Sequence, residues 1–136
     1  ESITLNGVSR NSSTTASISS IGEISNRIMS ITNSTNGTDI VNIGTGSGAG
    51  TFDKTAVKYL RFTNLDDTNF VTIQFTDEAT HHWELKLEAG KSLIIGDTSS
   101  IDDQADIDNF SATAITKIIG KADTAAVDLE VYIAST

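Results

Sequence analysis

At 136 residues the chain is long enough to bury one hydrophobic core, and by the usual size of domains it holds one. Its net charge of −9 argues against nucleic-acid binding, which needs a basic footprint. Without cysteine it has neither disulfides nor thiolate metal sites, and no apolar run approaches the roughly 20 residues of a helical membrane span.

The charge is unevenly placed. Residues 1–50 hold three acids (Glu1, Glu23, Asp39) and two bases (Arg10, Arg27), which leaves them almost neutral, while residues 51–136 form an acidic globule. Ser2 to Val8 reads as a short strand ending at a turn, and Asn11 to Ser20 is nearly all Ser and Thr. Such a stretch has too little apolar surface to offset its ordering entropy, so residues 1–22 are expected to be an arm that orders on a neighbour. Ile3, Leu5 and Val8 are its candidate partner-contact residues.

Residues 23–136 are expected to be the folded domain. Ile18, Ile21, Ile24, Ile28 and Ile31 have helical spacing, but the residues between them are poor helix formers. Ser25 to Thr32 is therefore read as a strand with Arg27, Met29 and Ile31 on one face. Asn36-Gly37 is a hairpin signal leading into a strand from Thr38 to Ile43. Gly44 to Gly50 contains G-x-G-x-x-A, but a dinucleotide loop must open a helix, and here Thr51-Phe52-Asp53 leads into a strand.

From Val57 to Gly96 four apolar runs are separated by turn residues. Val71, Ile73 and Phe75 alternate with Thr72, Gln74 and Thr76; Trp83, Leu85 and Leu87 alternate with His82, Glu84 and Lys86. Period-two alternation means one buried face and one wet one, the pattern of an antiparallel meander. Gly90 supplies the positive φ of a tight return into Ser92 to Ile95. Asp97 to Asn109 is acidic, but a calcium loop begun at Asp102 lacks the sixth-position Gly and twelfth-position Glu, where Ile107 and Thr113 stand. Ile115 to Lys121 and Ala126 to Ala134 are the last two strands. About eight strands at near-regular spacing predict an all-β, antiparallel β-sandwich, jelly-roll or immunoglobulin-like.

Candidate chemistry is thin. His81 and His82 would point to opposite faces of a strand and could not chelate together there, whereas in a loop they could; a surface loop is the reading favoured over a metal site. Trp83 shares a face with Leu85 and Leu87 and is read as core or core-edge packing. A sugar platform would need companions, and only Tyr59 and Tyr132 could join it. No G-x-S-x-G elbow is present, and neither histidine has a triad context. No catalytic residue, cofactor or metal is expected.

Three segments, Lys58 to Val71, Leu85 to Ser92 and Asp123 to Val131, together resemble a family of small tailed-bacteriophage virion proteins. The likeness covers roughly the last two-thirds of the chain and is a pattern of strand and turn residues. It implies a β-sandwich with a non-enzymatic structural role in the head or tail of a virion, and a head-decoration or minor capsid protein is the expectation. Its expected partners are the major capsid protein or other virion proteins and copies of itself, with no nucleic acid and no membrane. A carbohydrate- or receptor-binding module of a tail fibre is the alternative.

Overall fold

The computed structural model describes residues 4–9, 13, 15, 17–44, 46, 48, 50–96 and 115–136. Among them there is no helix, and eleven strands are formed. Thr4–Leu5 (β1) and Val8–Ser9 (β2) pair only with each other. The remaining strands are β3 (Glu23–Ile31), β4 (Thr38–Gly44), β5 (Thr51–Asp53), β6 (Val57–Asn64), β7 (Val71–Asp77), β8 (His82–Leu87), β9 (Ser92–Ile95), β10 (Ile115–Ala122) and β11 (Val127–Ser135). They lie in a five-stranded sheet, β5-β4-β10-β7-β8, and a four-stranded sheet, β3-β11-β6-β9. The expected all-β sandwich is the fold found.

The topology resolves the choice between sandwich types. Without the three-residue β5, eight strands remain, nested as an outer pair β3·β11, then β4·β10, β6·β9 and β7·β8, all antiparallel. First pairs with last, second with second-last and so on, while successive pairs alternate between the two sheets. That is a long hairpin wound on itself, the jelly roll. β5 adds to its rim by parallel pairing with β4. The glycine-rich segment before β5 thus leads into a strand, which is not the helix a phosphate loop requires.

Two local expectations need correction. The run Val57 to Gly96 is no meander: only β7 and β8 are a paired hairpin, while β6 and β9 pair with each other in the opposite sheet. Alternation reports that one face is buried, which is equally true in either sheet. Asn36-Gly37 does not close a hairpin either, since β3 and β4 belong to different sheets. Gly37 N–H donates to Ser34 O at 3.0 Å and Gly37 has φ +71°, so the pair ends a turn that crosses the sandwich. A Cβ on Gly37 would stand 2.5 Å from Ile119 Cγ2. The hairpin appears at the other Asn-Gly: Asn6 (φ 52°) and Gly7 (φ 75°) both take the left-handed conformation of a type I′ turn between β1 and β2.

The core lies between the sheets. Val71, Ile73 and Phe75 of β7 and Ile118 of β10 face Leu60 and Phe62 of β6 and Leu129, Val131 and Ile133 of β11, all essentially inaccessible. Phe62 and Phe75 meet edge to face at 6.2 Å and 78°, a geometry that adds about 0.5–1.5 kcal/mol beyond area burial. Arg27 sits on the inward side of β3 with Met29 and Ile31, as their spacing predicts. Its guanidinium Nη2 donates to the carbonyl of Ile40 in the opposite sheet. Ile40 is the extra residue of a β-bulge, since Asp39 pairs with Ile119 and Val41 with Ile118.

Among the described residues one polar side chain has no exposure at all. Asn64, 0% exposed at the end of β6, donates through Nδ2 to Leu87 O (3.1 Å) and Asn69 O (2.9 Å) and accepts from Asp66 N–H (3.0 Å). It thereby ties the four-stranded sheet to β8 of the five-stranded one and shapes the crossing between them.

Candidate interaction surfaces

The two outer faces of the sandwich differ in kind. On the four-stranded sheet, β3 turns Ile24, Asn26, Ile28 and Ser30 outward, opposite Ala134, Tyr132, Glu130 and Asp128 of β11. β6 adds Tyr59, Arg61 and Thr63, and Ile94 of β9 lies opposite Arg61. Ile24 (58% exposed), Ile28 (63%) and Ile94 (58%) are open to solvent. With Ile18, they are four of the seven large hydrophobics exposed among the described residues, so exposed apolar side chains gather on this side of the sandwich.

At its centre Tyr59 and Tyr132 meet edge to face at 5.8 Å and 81°. The Arg61 guanidinium lies 5.6 Å from the Tyr132 ring centre and 2.8 Å from Glu130 Oε2. Ile18 and Ile21, in the segment preceding β3, border a groove of about 470 Å³ beside Ile24 and the two tyrosines.

The five-stranded sheet is polar outside. Gln74 Nε2 donates to Glu84 Oε1 at 2.7 Å, Lys117 pairs with Asp39 at 2.7 Å, and Lys86 Nζ lies 4.1 Å over the Phe70 ring. A groove of about 440 Å³ runs from Phe70, Gln74 and Glu84 to the Thr35–Gly37 turn, Lys121 and Asp123.

The residues singled out by sequence fall as follows. His81 lies in the β7–β8 loop, where its Nδ1 is 3.0 Å from Asp77 Oδ2 and its N–H donates to Asp77 Oδ1 at 2.8 Å. His82 points outward opposite Thr76. No group of three or more His, Cys, Asp or Glu close enough to hold a metal occurs among the described residues. The acidic segment 97–109 lies outside them.

Trp83 is 42% exposed, so it is core-edge and not core. It covers Phe75, with ring centres 5.1 Å apart. The cause is its place: β8 is the outermost strand of its sheet, and β9, the edge strand of the other sheet, is only four residues long. Tyr59 and Tyr132 belong to the outer face of the other sheet and form no platform with it. Of the arm residues expected to meet a partner, Ile3 lies outside the described residues, Leu5 belongs to β1, and Val8 in β2 is exposed.

Two carboxylates are held ionised by turns. Asp66 has its pKa lowered, first by the backbone N–H of Asn69 (2.6 Å) and then by that of Thr68 (2.8 Å). Asp53 is lowered likewise by the backbone N–H and hydroxyl of Thr55. Both are turn-shaping groups. Sequence reasoning missed Asn64, Asp77 and the outward isoleucines of β3. An Asn before a turn and an Ile within a strand carry no mark of whether they end inside or outside.

Comparison with protein-family models, with curated proteins and with solved structures finds no match to this chain in any of the three.

Proposed function

We propose that this chain is a non-enzymatic structural subunit of a virion, most simply a head-decoration or minor capsid protein of a tailed phage. The observation that carries the structural role is the outer face of the four-stranded sheet. Three open isoleucines, Ile24 and Ile28 on one edge strand and Ile94 on the other, flank the Tyr59–Tyr132 pair, and exposed apolar side chains gathered on one face favour contact with another protein. The phage setting is supported by the resemblance of the strand and turn segments at 58–71, 85–92 and 123–131. The jelly roll accords with it, but that fold serves capsid and lectin domains alike and does not choose between them.

The test is the composition of purified particles carrying this chain. Quantitative mass spectrometry is expected to find it in hundreds of copies per particle. Its absence from particles would overturn the reading, and a handful of copies would move it to the tail or portal. The second reading, a carbohydrate- or receptor-binding module of a tail fibre, is favoured by the polar groove on the five-stranded sheet. There Gln74, Glu84 and Asp123 offer hydrogen-bonding groups beside Phe70. Glycan-induced NMR shifts confined to that groove would establish it.

A further inference from the structure

We propose that a second copy of this chain pairs with the open edge of β3 about a two-fold axis at Asn26, joining two four-stranded sheets into one. The inference rests on the reading of the chain as an assembly subunit and names its first partner.

Backbone geometry comes first. In an antiparallel ladder each residue turns both its N–H and its C=O to one side, and successive residues alternate sides. Leu65 N–H donates to Asp128 O at 2.9 Å, so even-numbered residues of β11 face β6 and odd-numbered ones face β3. The register Val131↔Arg27 then pairs odd residues of β3 with β11. Ile24, Asn26, Ile28 and Ser30 are left with N–H and C=O directed to the edge, where β3 has no neighbouring strand among the described residues.

This edge is unlike the others. β5 has three residues and β9 four, too short to template a partner, and β8 carries His82, Glu84 and Lys86 on its outer side. β3 has nine residues with neither Lys nor Pro, the residues that commonly blunt an edge. Its charges are Glu23 and Arg27, and Arg27 turns inward to the Ile40 carbonyl. Two globules of net charge −9 repel each other, and β3 belongs to the nearly neutral first fifty residues.

The side chains choose the register. Ile24-Ser25-Asn26-Arg27-Ile28 is close to palindromic about Asn26. With the axis there, Ile24 lies opposite Ile28 of the second copy, and Ile28 opposite its Ile24. These four isoleucines, two from each chain and exposed in the single one, then form two cross-strand pairs on the outer face, one on either side of the Asn26 pair. Arg27 meets Ser25 of the second copy. Moving the axis one residue, to Arg27, would set like charges face to face and separate the isoleucines. An interface of this kind is isologous and closes at two copies.

Sedimentation equilibrium of the isolated chain should give twice its 14.4 kDa mass. Asn26→Pro removes an N–H that points only to the open edge, so it should spare the β3–β11 ladder. Ile24→Lys with Ile28→Lys places like charges opposite one another on an exposed face. Each variant, folded by circular dichroism, should dimerise at least about tenfold more weakly. The chain has no other cysteine, so Asn26→Cys should yield a disulfide-linked dimer on mild oxidation, hydrogen-bonded partners lying about 5.5 Å apart at Cα. A monomeric native chain, or dimerisation unchanged in both variants, would overturn the proposal. A monomer that still enters particles would refute the dimer alone. A dimer absent from particles would refute the virion reading alone.

Discussion

Asn64→Asp is the most informative single substitution in the core. It keeps the shape of the side chain and removes only the donor, leaving the carbonyls of Leu87 and Asn69 without the N–H they accept at 3.1 and 2.9 Å. Each orphaned carbonyl costs about 1–3 kcal/mol, and a carboxylate placed against two carbonyl oxygens in a fully inaccessible site adds to that. A loss of about 3–5 kcal/mol is expected near neutral pH, or roughly 10–15 °C in melting temperature for a domain of this size. The pH dependence has a definite sign. Burial and the two carbonyls raise the folded pKa of the introduced carboxyl above its unfolded value. The protonated form, which can donate to one carbonyl, is therefore favoured in the fold. The penalty should shrink as pH falls through the raised folded pKa toward the unfolded value. Urea unfolding followed by fluorescence of Trp83, the one tryptophan, measures this directly at two pH values. A loss below about 1 kcal/mol at neutral pH, or one independent of pH, would refute the role given to Asn64.

Two further outcomes follow from the same geometry. Trp83→Ala should cost about 2 kcal/mol, less than the about 3–5 kcal/mol of a fully buried aromatic, because nearly half the ring is already in water. Circular-dichroism denaturation checks it, and an unchanged midpoint would mean that the ring gives Phe75 no cover. The Asp66 carboxyl, held below its ordinary value by the N–H groups of Asn69 and Thr68, should titrate in NMR at lower pH than a free aspartate. With its folded pKa depressed, its contribution is present above the unfolded value and is lost as pH falls through the folded one. A midpoint at or above that of free aspartate would contradict the turn geometry.

The strands themselves were legible because alternation is a local property. Neighbouring side chains on a pleated strand point to opposite faces, so Val71, Ile73 and Phe75, or Arg27, Met29 and Ile31, declare a common side without reference to anything distant. The last strand, with Val127, Leu129, Val131 and Ile133 on one side, was legible for the same reason. Which strand lies beside which is a different kind of fact. β6 pairs with β9 and not with β7, although the three share the same alternation, because pairing is chosen by how the whole hairpin winds. The two Asn-Gly dipeptides make the point at the smallest scale. At Asn6-Gly7 both residues adopt positive φ and close a hairpin, while at Asn36-Gly37 only the glycine does and the chain crosses between sheets. Position in the sandwich likewise set the exposure of Trp83, whose pattern matches that of a core residue but whose strand lies at an edge. It also set the burial of Asn64, which ends a strand where two sheets converge. Ile24 and Ile28 are apolar residues on the outward side of a strand whose inward side holds Met29 and Ile31. Alternation by itself could mark them as sharing a face. Only the stacking of the two sheets decided that this face is the one left open.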